Sequence, residues 1–222
     1  MNKYCVIFDM DGVLVDSCPF HLVAWKMFAH KYGLHLEDRV FYQTFGLRND
    51  EIIPLFFPNH FSPADYRKLD REKEALYREC IKGKVVPPNG LTLYINDLID
   101  HGFLIAVGSS GPRENVQLIL AETNLTHKIK ISVSGDDVKH GKPDPEIFIK
   151  AARLCGVSPL NTVVIEDASA GIRAAKNAQM KAIGITSTAT PDDLGEADLI
   201  IGSFPDINAE KTIGLITGHL LI

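Results

Sequence analysis

Residues 4–17, YCVIFDMDGVLVDS, determine how the rest of the chain is interpreted. The run from Tyr4 to Phe8 is apolar and rich in β-branched and aromatic side chains, which is typical of a buried parallel strand. Two carboxylates, Asp9 and Asp11, follow at a spacing of two residues. Because a buried unpaired carboxylate is costly, we expect both to lie in a solvated crevice at the carboxyl end of the strand, where open α/β sheets bind ligands.

The spacing of Asp9 and Asp11 predicts a cation site. Two carboxylates this close repel each other unless a positive charge lies between them, so a divalent cation would neutralise the pair. Carboxylate oxygens suit Mg²⁺, which commonly binds together with a phosphate group. The same Asp-x-Asp-Gly pattern is also typical of a turn that caps a strand. From this stretch alone, both interpretations stand.

Composition restricts the class of protein. A chain of 222 residues is long enough for one large domain or for one domain that carries an insert. The net charge of −5 argues against a nucleic-acid or anionic-membrane partner. No apolar run approaches the roughly 20 residues that span a bilayer, and the two early aspartates interrupt what could otherwise be a signal peptide. The four cysteines form no Cys-x-x-Cys pair, which favours reduced thiols in a cytoplasmic enzyme.

The order of predicted elements indicates a core with an insert. After the first strand, residues 17–86 show only helical patterns, with helices expected over 19–32, over 48–57 with a kink or break at Pro54, and from Ser62 to about Ile81. Strands and helices then alternate to the end of the chain. Such alternation predicts an α/β protein with a doubly wound, Rossmann-like parallel sheet. We therefore assign residues 1–16 and 87–222 to this core and residues 17–86 to a small all-helical cap that forms a lid.

Polar clusters follow three further predicted strands. Ser109 and Ser110 offer hydroxyl and backbone N–H groups before a helix, which suits an anion, although serine N-capping explains them as well. Lys142 places a cation before a helix, where the helix dipole disfavours it, so an anion is expected nearby unless the lysine is simply solvated. Glu166 and Asp167 form a second acidic pair, for which stabilisation at a helix N-terminus is the alternative explanation. Each cluster alone is a weak signal, but four of them at the ends of alternating strands, in this order, form a strong one.

These clusters carry a resemblance to a known family. Over essentially its whole length, the chain resembles a phosphotransferase of the haloacid dehalogenase superfamily. Residues 9–13 are similar to the nucleophile motif of that family, Ser109 to its hydroxyl motif, and Lys142 to its lysine motif. The pair Glu166-Asp167 resembles the distal acidic motif, and the helical insert matches the small α-helical cap of the family.

The resemblance implies a mechanism. Asp9 would attack phosphorus and form an aspartyl-phosphate, and Asp11 would act as general acid and then as general base. Ser109 and Lys142 would stabilise the charge on the transferring phosphoryl group. The cofactor implied is Mg²⁺ and the partner is a small phosphate ester. The implied metal site comprises Asp9, Asp11, Glu166 and Asp167, with the backbone carbonyl of Asp11 as one ligand and Glu166 as a ligand or an orienting partner.

Within the family, the chain is similar to β-phosphoglucomutases and sugar-phosphate phosphatases. Lys73 matches a cap lysine that touches substrate in the mutase, although helix periodicity alone favours a lysine that extends its charge to solvent. Asn49 stands where the mutase has an arginine, and Arg48 is one position before it. After the hydroxyl motif, the mutase has a lysine and an asparagine where this chain has Pro112 and Arg113. Those mutase positions hold a distal phosphate, so the departures argue against mutase activity. The candidate substrate-binding residues are His21, Trp25, Arg48, Asn49, Lys73, Ser110 and Arg113.

We therefore predict a Mg²⁺-dependent phosphatase of small sugar phosphates, which acts in the cytoplasm as a monomer or weak homodimer. A mutase that returns the phosphoryl group to a sugar is the first alternative. A receiver-type signalling domain is the second, but its phosphoacceptor follows an interior strand and it has no helical insert after its first strand. A metal-free dehalogenase is disfavoured because Asp11 and the pair at 166–167 would then have no function.

Overall fold

The computed structural model describes residues 4–44 and 49–219. Its centre is a six-stranded parallel sheet in the order β3-β2-β1-β4-β5-β6. The chain adds β2 and β3 on one side of β1, and β4, β5 and β6 on the other. Strands β1 and β4 therefore flank the point where the strand order reverses, which is where open sheets bind ligands. The strands are β1 (Cys5–Phe8), β2 (Leu104–Gly108), β3 (Ile131–Val133), β4 (Thr162–Glu166), β5 (Lys181–Ile185) and β6 (Leu199–Ile201).

Helices account for most of the remaining regular structure. The α-helices are α1 (Cys18–Lys31), α2 (Asp38–Thr44), α3 (Asn49–Phe56), α4 (Tyr66–Ile81), α5 (Leu91–Asp100), α6 (Arg113–Glu122), α7 (Glu146–Cys155), α8 (Ser169–Asn177) and α9 (Ala209–Thr217). Within the described residues, none of them has both the length and the apolar character needed to cross a bilayer. The chain divides into two compact units, one of residues 1–16 and 85–222 and the other of residues 17–84.

Successive side chains of the first strand point to opposite faces of the sheet, and the strand is buried on both faces. Cys5 and Ile7 pack in a cluster with residues of α7 and α8. On the opposite face, the ring of Phe8 lies 6.2 Å from the ring of Tyr94 in α5 and 6.2 Å from that of Phe204. Helices thus cover both faces, as continuous apolar runs in parallel sheets require. The predicted doubly wound α/β fold with an inserted helical segment is confirmed.

Residues 17–84 pack around their own apolar core. Trp25 and Phe28 of α1, Ile53 and Phe56 of α3, and Leu69 of α4 are all buried in one cluster. The ring of Trp25 meets that of Phe56 edge-on, with centroids 5.1 Å apart. Trp25, which the family resemblance assigns to substrate binding, is 1% exposed and lies in this core.

The structure bears on two expectations for the helical unit. Helix α2 was not predicted. Of the kink or break expected at Pro54, the break is absent, since α3 continues to Phe56. The helix contains Pro54 and buries Ile52, Ile53 and Phe56. Ser62, expected to begin α4, accepts a hydrogen bond from the N–H of Ala64 and caps a short 3₁₀ turn that leads into α4.

Candidate active site

Three carboxylates converge at the carboxyl edge of the sheet. Asp9 directly follows β1, Glu166 is the last residue of β4, and Asp167 follows it. Each offers an oxygen that lies within 4.8 Å of the others. All three residues are buried, with 7%, 1% and 4% exposed for Asp9, Glu166 and Asp167. The two acidic clusters that the sequence predicts at neighbouring strand ends therefore meet at the point where the strand order reverses.

Lys142 reaches this group from the turn that precedes α7. Its Nζ contacts Oδ1 of Asp9 and lies 2.6 Å from Oε1 of Glu166. The lysine side chain is only 9% exposed, and the peptide bond to Pro143 is cis. The anions expected beside this lysine are thus the carboxylates of Asp9 and Glu166. Within the part of the chain that the structure describes, Lys142 is the cation that contacts this group of three carboxylates, which leaves the group with excess negative charge.

Burial and mutual repulsion shift the pKa values of the group. Burial raises the pKa of Asp9 to about 8, with Lys142 opposing the shift and Glu166 and Asp11 adding to it. Burial also raises the pKa of Asp167 well above its ordinary value, and the charges of Glu166 and Asp9 add to this. Burial alone would lower the pKa of Lys142, but the two carboxylates beside it outweigh that effect and raise it. More positive charge is needed to keep all three carboxylates ionised.

The donor set fits a divalent cation such as Mg²⁺. Hard carboxylate oxygens at this separation are the ligands that Mg²⁺ prefers. Both oxygens of Glu166 already have protein partners, since Oε1 meets Lys142 and Oε2 accepts the N–H groups of Asp167 and Ala168 at 2.9 Å. This arrangement favours Glu166 as the residue that orients the group. Asp9 and Asp167 are then the side chains placed to hold the ion.

Asp11 lies on the tight turn that follows Asp9. The turn is closed by hydrogen bonds from the N–H of Leu14 to the carbonyl of Met10 and from the N–H of Gly12 to that of Val15, both 2.8 Å. The side chain of Asp11 is half-buried and its charge contributes to the raised pKa of Asp9. Among the described residues, the carboxylates within 4.8 Å of one another do not include that of Asp11. The ligand expected from Asp11 was its backbone carbonyl, and this stays a prediction.

Two glycines allow the carboxylates to approach the backbone. A Cβ atom added at Gly12, where φ is +78°, would lie 1.9 Å from Oδ2 of Asp167. A Cβ atom added at Gly171, in the first turn of α8, would lie 1.8 Å from Oε1 of Glu166. Any side chain at either position would displace a carboxylate of the site.

The hydroxyl cluster after β2 lies at the same edge of the sheet. Ser109 is 1% exposed, and its Oγ accepts the N–H of Gly111 at 3.1 Å, so it stabilises the turn before α6. Its O–H proton is a separate donor. Ser110 is exposed. The guanidinium of Arg113 is exposed and forms an ion pair with Asp137 at 2.7 Å.

Lys73 and its neighbours form a buried polar network within the helical unit. Its Nζ lies 2.7 Å from Nδ1 of His21 and 2.8 Å from Oε1 of Glu74. The amide of Asn49 donates to Glu74 at 2.7 Å and to Asp70 at 2.6 Å. Lys73 is 2% exposed, so the interpretation as a lysine that extends to solvent is wrong. Arg48, the remaining cap candidate, lies outside the described residues.

Glu74 was not a candidate from the sequence, yet it gives the largest stability prediction in this network. Burial would raise its pKa, but Lys73 and the hydrogen bonds outweigh this and lower the pKa from 4.5 to about 2. A depressed carboxyl pKa stabilises the folded state above about pH 4.5, and this stabilisation is lost as the pH falls towards 2. We expect Glu74→Gln to lower the free energy of unfolding at pH 7 by roughly 3 kcal/mol.

The measurement is urea unfolding of the wild type and the variant between pH 7 and pH 3. The difference between the two proteins should shrink as the pH falls below 4.5. Glu79→Gln, at an exposed position of the same helix, serves as the matched control. Equal effects of the two substitutions at pH 7 would contradict the assignment of a stabilising charge to Glu74.

The loop after β5 contributes two hydroxyls that the sequence interpretation missed. Oγ1 of Thr188 donates to Oδ2 of Asp167, and Oγ of Ser187 donates to the carbonyl of Gly12 at 2.6 Å. Both residues closely follow a predicted strand. Polar residues at the end of a strand are the signal that identified the other clusters, and it could have identified these two as well.

Comparisons with known proteins agree with this geometry. The family model described as haloacid dehalogenase-like hydrolase matches residues 6–185. The chain is 33% identical to the fructose-1-phosphate phosphatase YqaB of Escherichia coli, over 81% of this chain and 95% of that protein. It is 30% identical to the β-phosphoglucomutase of Bacillus subtilis, over 92% of each. The crystal structure of a β-phosphoglucomutase from Clostridium difficile superposes over the full length of both chains with a TM-score of 0.85 and 25% identity.

Proposed function

Because the chain belongs to the haloacid dehalogenase-like hydrolase family, we propose that it is a Mg²⁺-dependent phosphatase of small sugar phosphates. Its relatives include phosphatases of phosphorylated carbohydrates and a phosphoglucomutase, which supports a phosphate ester as the substrate. One observation carries the proposal. Asp9 meets Lys142, Glu166 and Asp167 where the strand order reverses.

In the proposed reaction, Asp9 is the nucleophile. Its carboxylate oxygen forms a bond to phosphorus while the bond from phosphorus to the sugar oxygen breaks. Asp11 gives a proton to the leaving oxygen and, in the second step, takes a proton from the water that cleaves the aspartyl-phosphate. Lys142 favours the ionised form of Asp9 and offsets the charge on the phosphoryl oxygens, with the hydroxyl of Ser109 as a further donor.

The residues placed to hold Mg²⁺ are Asp9 and Asp167, with Glu166 as the residue that orients them. When bound, the ion supplies positive charge that offsets the carboxylates and the phosphate of the substrate. The chain itself shields the nucleophile from bulk solvent, because Asp9, Glu166 and Asp167 are each less than 10% exposed.

Mutase activity is the second candidate, since the similarity to a β-phosphoglucomutase extends over 92% of the length of the chain. Asn49 and Arg113 stand at positions where this chain differs from the mutase, and their contacts favour hydrolysis. The amide of Asn49 is committed to Asp70 and Glu74, and the guanidinium of Arg113 is paired with Asp137. A mutase needs cationic groups for a second phosphate, and each lost charge-assisted contact weakens binding by roughly 1.5–3 kcal/mol.

A phosphate-release screen tests the proposal. We expect release of inorganic phosphate from small sugar phosphates with Mg²⁺ present, and loss of this activity in excess chelator. In a coupled assay, β-glucose 1-phosphate should yield free phosphate rather than glucose 6-phosphate, with or without β-glucose 1,6-bisphosphate. Full activity in chelator would contradict the metal dependence. Rapid formation of glucose 6-phosphate with little free phosphate would show that the protein is a mutase rather than a phosphatase.

A further inference from the structure

Two hydroxyls of the loop after β5 connect the two acidic loops of the site. Oγ1 of Thr188 donates to Oδ2 of Asp167 and lies 3.4 Å from the backbone carbonyl of the same residue. Its neighbour Ser187 donates to the carbonyl of Gly12 at 2.6 Å, on the turn that follows Asp9. The proposed chemistry uses neither hydroxyl, yet each contacts a loop that carries a reacting or metal-binding carboxylate.

The carboxylate of Asp167 is confined between these loops. Its Oδ2 lies where a Cβ atom of residue 12 would be, at 1.9 Å, and that same Cβ position is 3.0 Å from Cγ2 of Thr188. The residue is 4% exposed. With Gly12 on one side and the Thr188 hydroxyl bonded to one oxygen, rotation of the carboxylate about its Cβ–Cγ bond is restricted.

We propose that Thr188 is a positioning residue that fixes the carboxylate of Asp167 in the orientation in which it binds a divalent cation. This inference rests on the proposed function. A hydrogen bond to one carboxylate oxygen orients the group before the ion arrives, so less rotational freedom is lost when the ion binds. Loss of such an outer partner typically weakens metal binding by about 10- to 100-fold.

The chain offers matched variants for a test. Thr188→Val removes the hydroxyl and keeps the branched shape, and Thr188→Ser keeps the hydroxyl. Thr186 is of the same type in the same loop, but its Oγ1 lies 3.4 Å from the carbonyl of Ile201, away from the acidic group. Thr186→Val is therefore the control for a general effect on the loop. Thr188→Ala provides a second way of removing the hydroxyl without added bulk beside Gly12.

Mg²⁺ binding is measured by calorimetry on each protein in the absence of substrate, and unfolding is measured in chelator. We expect Thr188→Val and Thr188→Ala to raise the dissociation constant about 10- to 100-fold. Thr188→Ser and Thr186→Val should bind like the wild type, and the thermal midpoints in chelator should be similar for the two valine variants. Phosphatase activity of Thr188→Val should be recovered largely by raising the Mg²⁺ concentration.

The possible failures are distinguishable. If the wild type binds Mg²⁺ and the variants without the hydroxyl bind it equally well, the proposed role of Thr188 is overturned and the proposed function is not. Weak binding by Thr188→Ser, equal to that of Thr188→Val, would show that packing rather than the hydroxyl matters and would also overturn it. Wild-type protein that binds no divalent cation would overturn the proposed function, and this inference with it.

Discussion

Asp9→Asn should abolish phosphate release, with a fall in kcat of at least about a thousandfold. The amide has the size of the carboxylate and can still accept a hydrogen bond from Lys142, so the fold should be retained. Its neutral oxygen is not a competent nucleophile at phosphorus, and no aspartyl-phosphate can form. The measurement is the release of inorganic phosphate from a sugar phosphate at saturating Mg²⁺, with circular dichroism to verify folding.

The matched control is the same substitution two residues further on. Asp11→Asn should permit slow phosphorylation of Asp9 but remove the base that activates water, so the phosphorylated protein should accumulate. Mass spectrometry of the intact protein would detect the added phosphoryl group. Substantial turnover by Asp9→Asn, or a phosphorylated species in that variant, would show that another residue is the nucleophile.

Lys142→Met should also have a large effect, both on catalysis and on stability. The variant leaves the buried carboxylates of Asp9 and Glu166 without their shared cation. Loss of one charge-stabilising group at a reacting phosphoryl typically costs about 10²- to 10³-fold in kcat. Removal of one partner of a buried ion pair typically costs roughly 3–5 kcal/mol of unfolding free energy. We expect both losses, measured by phosphate release and by urea unfolding.

The pH dependence provides a third measurement on the same variant. Lys142 opposes the burial that raises the pKa of Asp9 to about 8. Without the lysine this pKa should rise further, so the acidic limb of the pH–rate profile should move to higher pH. Lys150→Met, at a 41% exposed position on α7, is the matched control and should change neither quantity appreciably. Unchanged kcat in Lys142→Met would restrict the lysine to a structural role.

Much of the site could be predicted from the sequence because the sheet is parallel. The carboxyl ends of parallel strands meet at one edge, so polar residues that follow separate strands come together in space. Asp9 and the pair Glu166-Asp167 were expected there for this reason and lie there. Lys142 was expected to meet an anion because a cation at a helix N-terminus opposes the helix dipole, and its partners are two of those carboxylates.

Other features depend on contacts that periodicity does not reveal. For Lys73, helix periodicity alone favoured a lysine that extends its charge to water, whereas the family resemblance placed it among the substrate-binding candidates. Its ion-pair partner Glu74 is the next residue, and adjacent helix positions do not normally face each other, so the pattern gave no indication of the pair. Helix α2 has seven residues, too few for a helical period to be distinguished from chance.

The register of β1 has a consequence for how the protein is made. Cys5 pairs with Leu104 in β2 and with Thr162 in β4, so the strand that leads to Asp9 finds both of its neighbours only through long-range pairing. Such pairing slows folding, because long loops must close before any contact forms. At about 5–20 residues per second, the ribosome needs roughly 8–30 seconds to extend the chain from Asp9 to Asp167.

During that interval, Cys5, Val6, Ile7 and Phe8, which are fully buried in the finished protein, lack their β4 neighbour. An apolar strand in this state is a natural ligand for chaperones and a hazard for aggregation. Glu166 and Asp167 are synthesised more than 150 residues after Asp9, the residue proposed to attack phosphate. Nascent chains that stop short of Asp167 therefore cannot assemble the site.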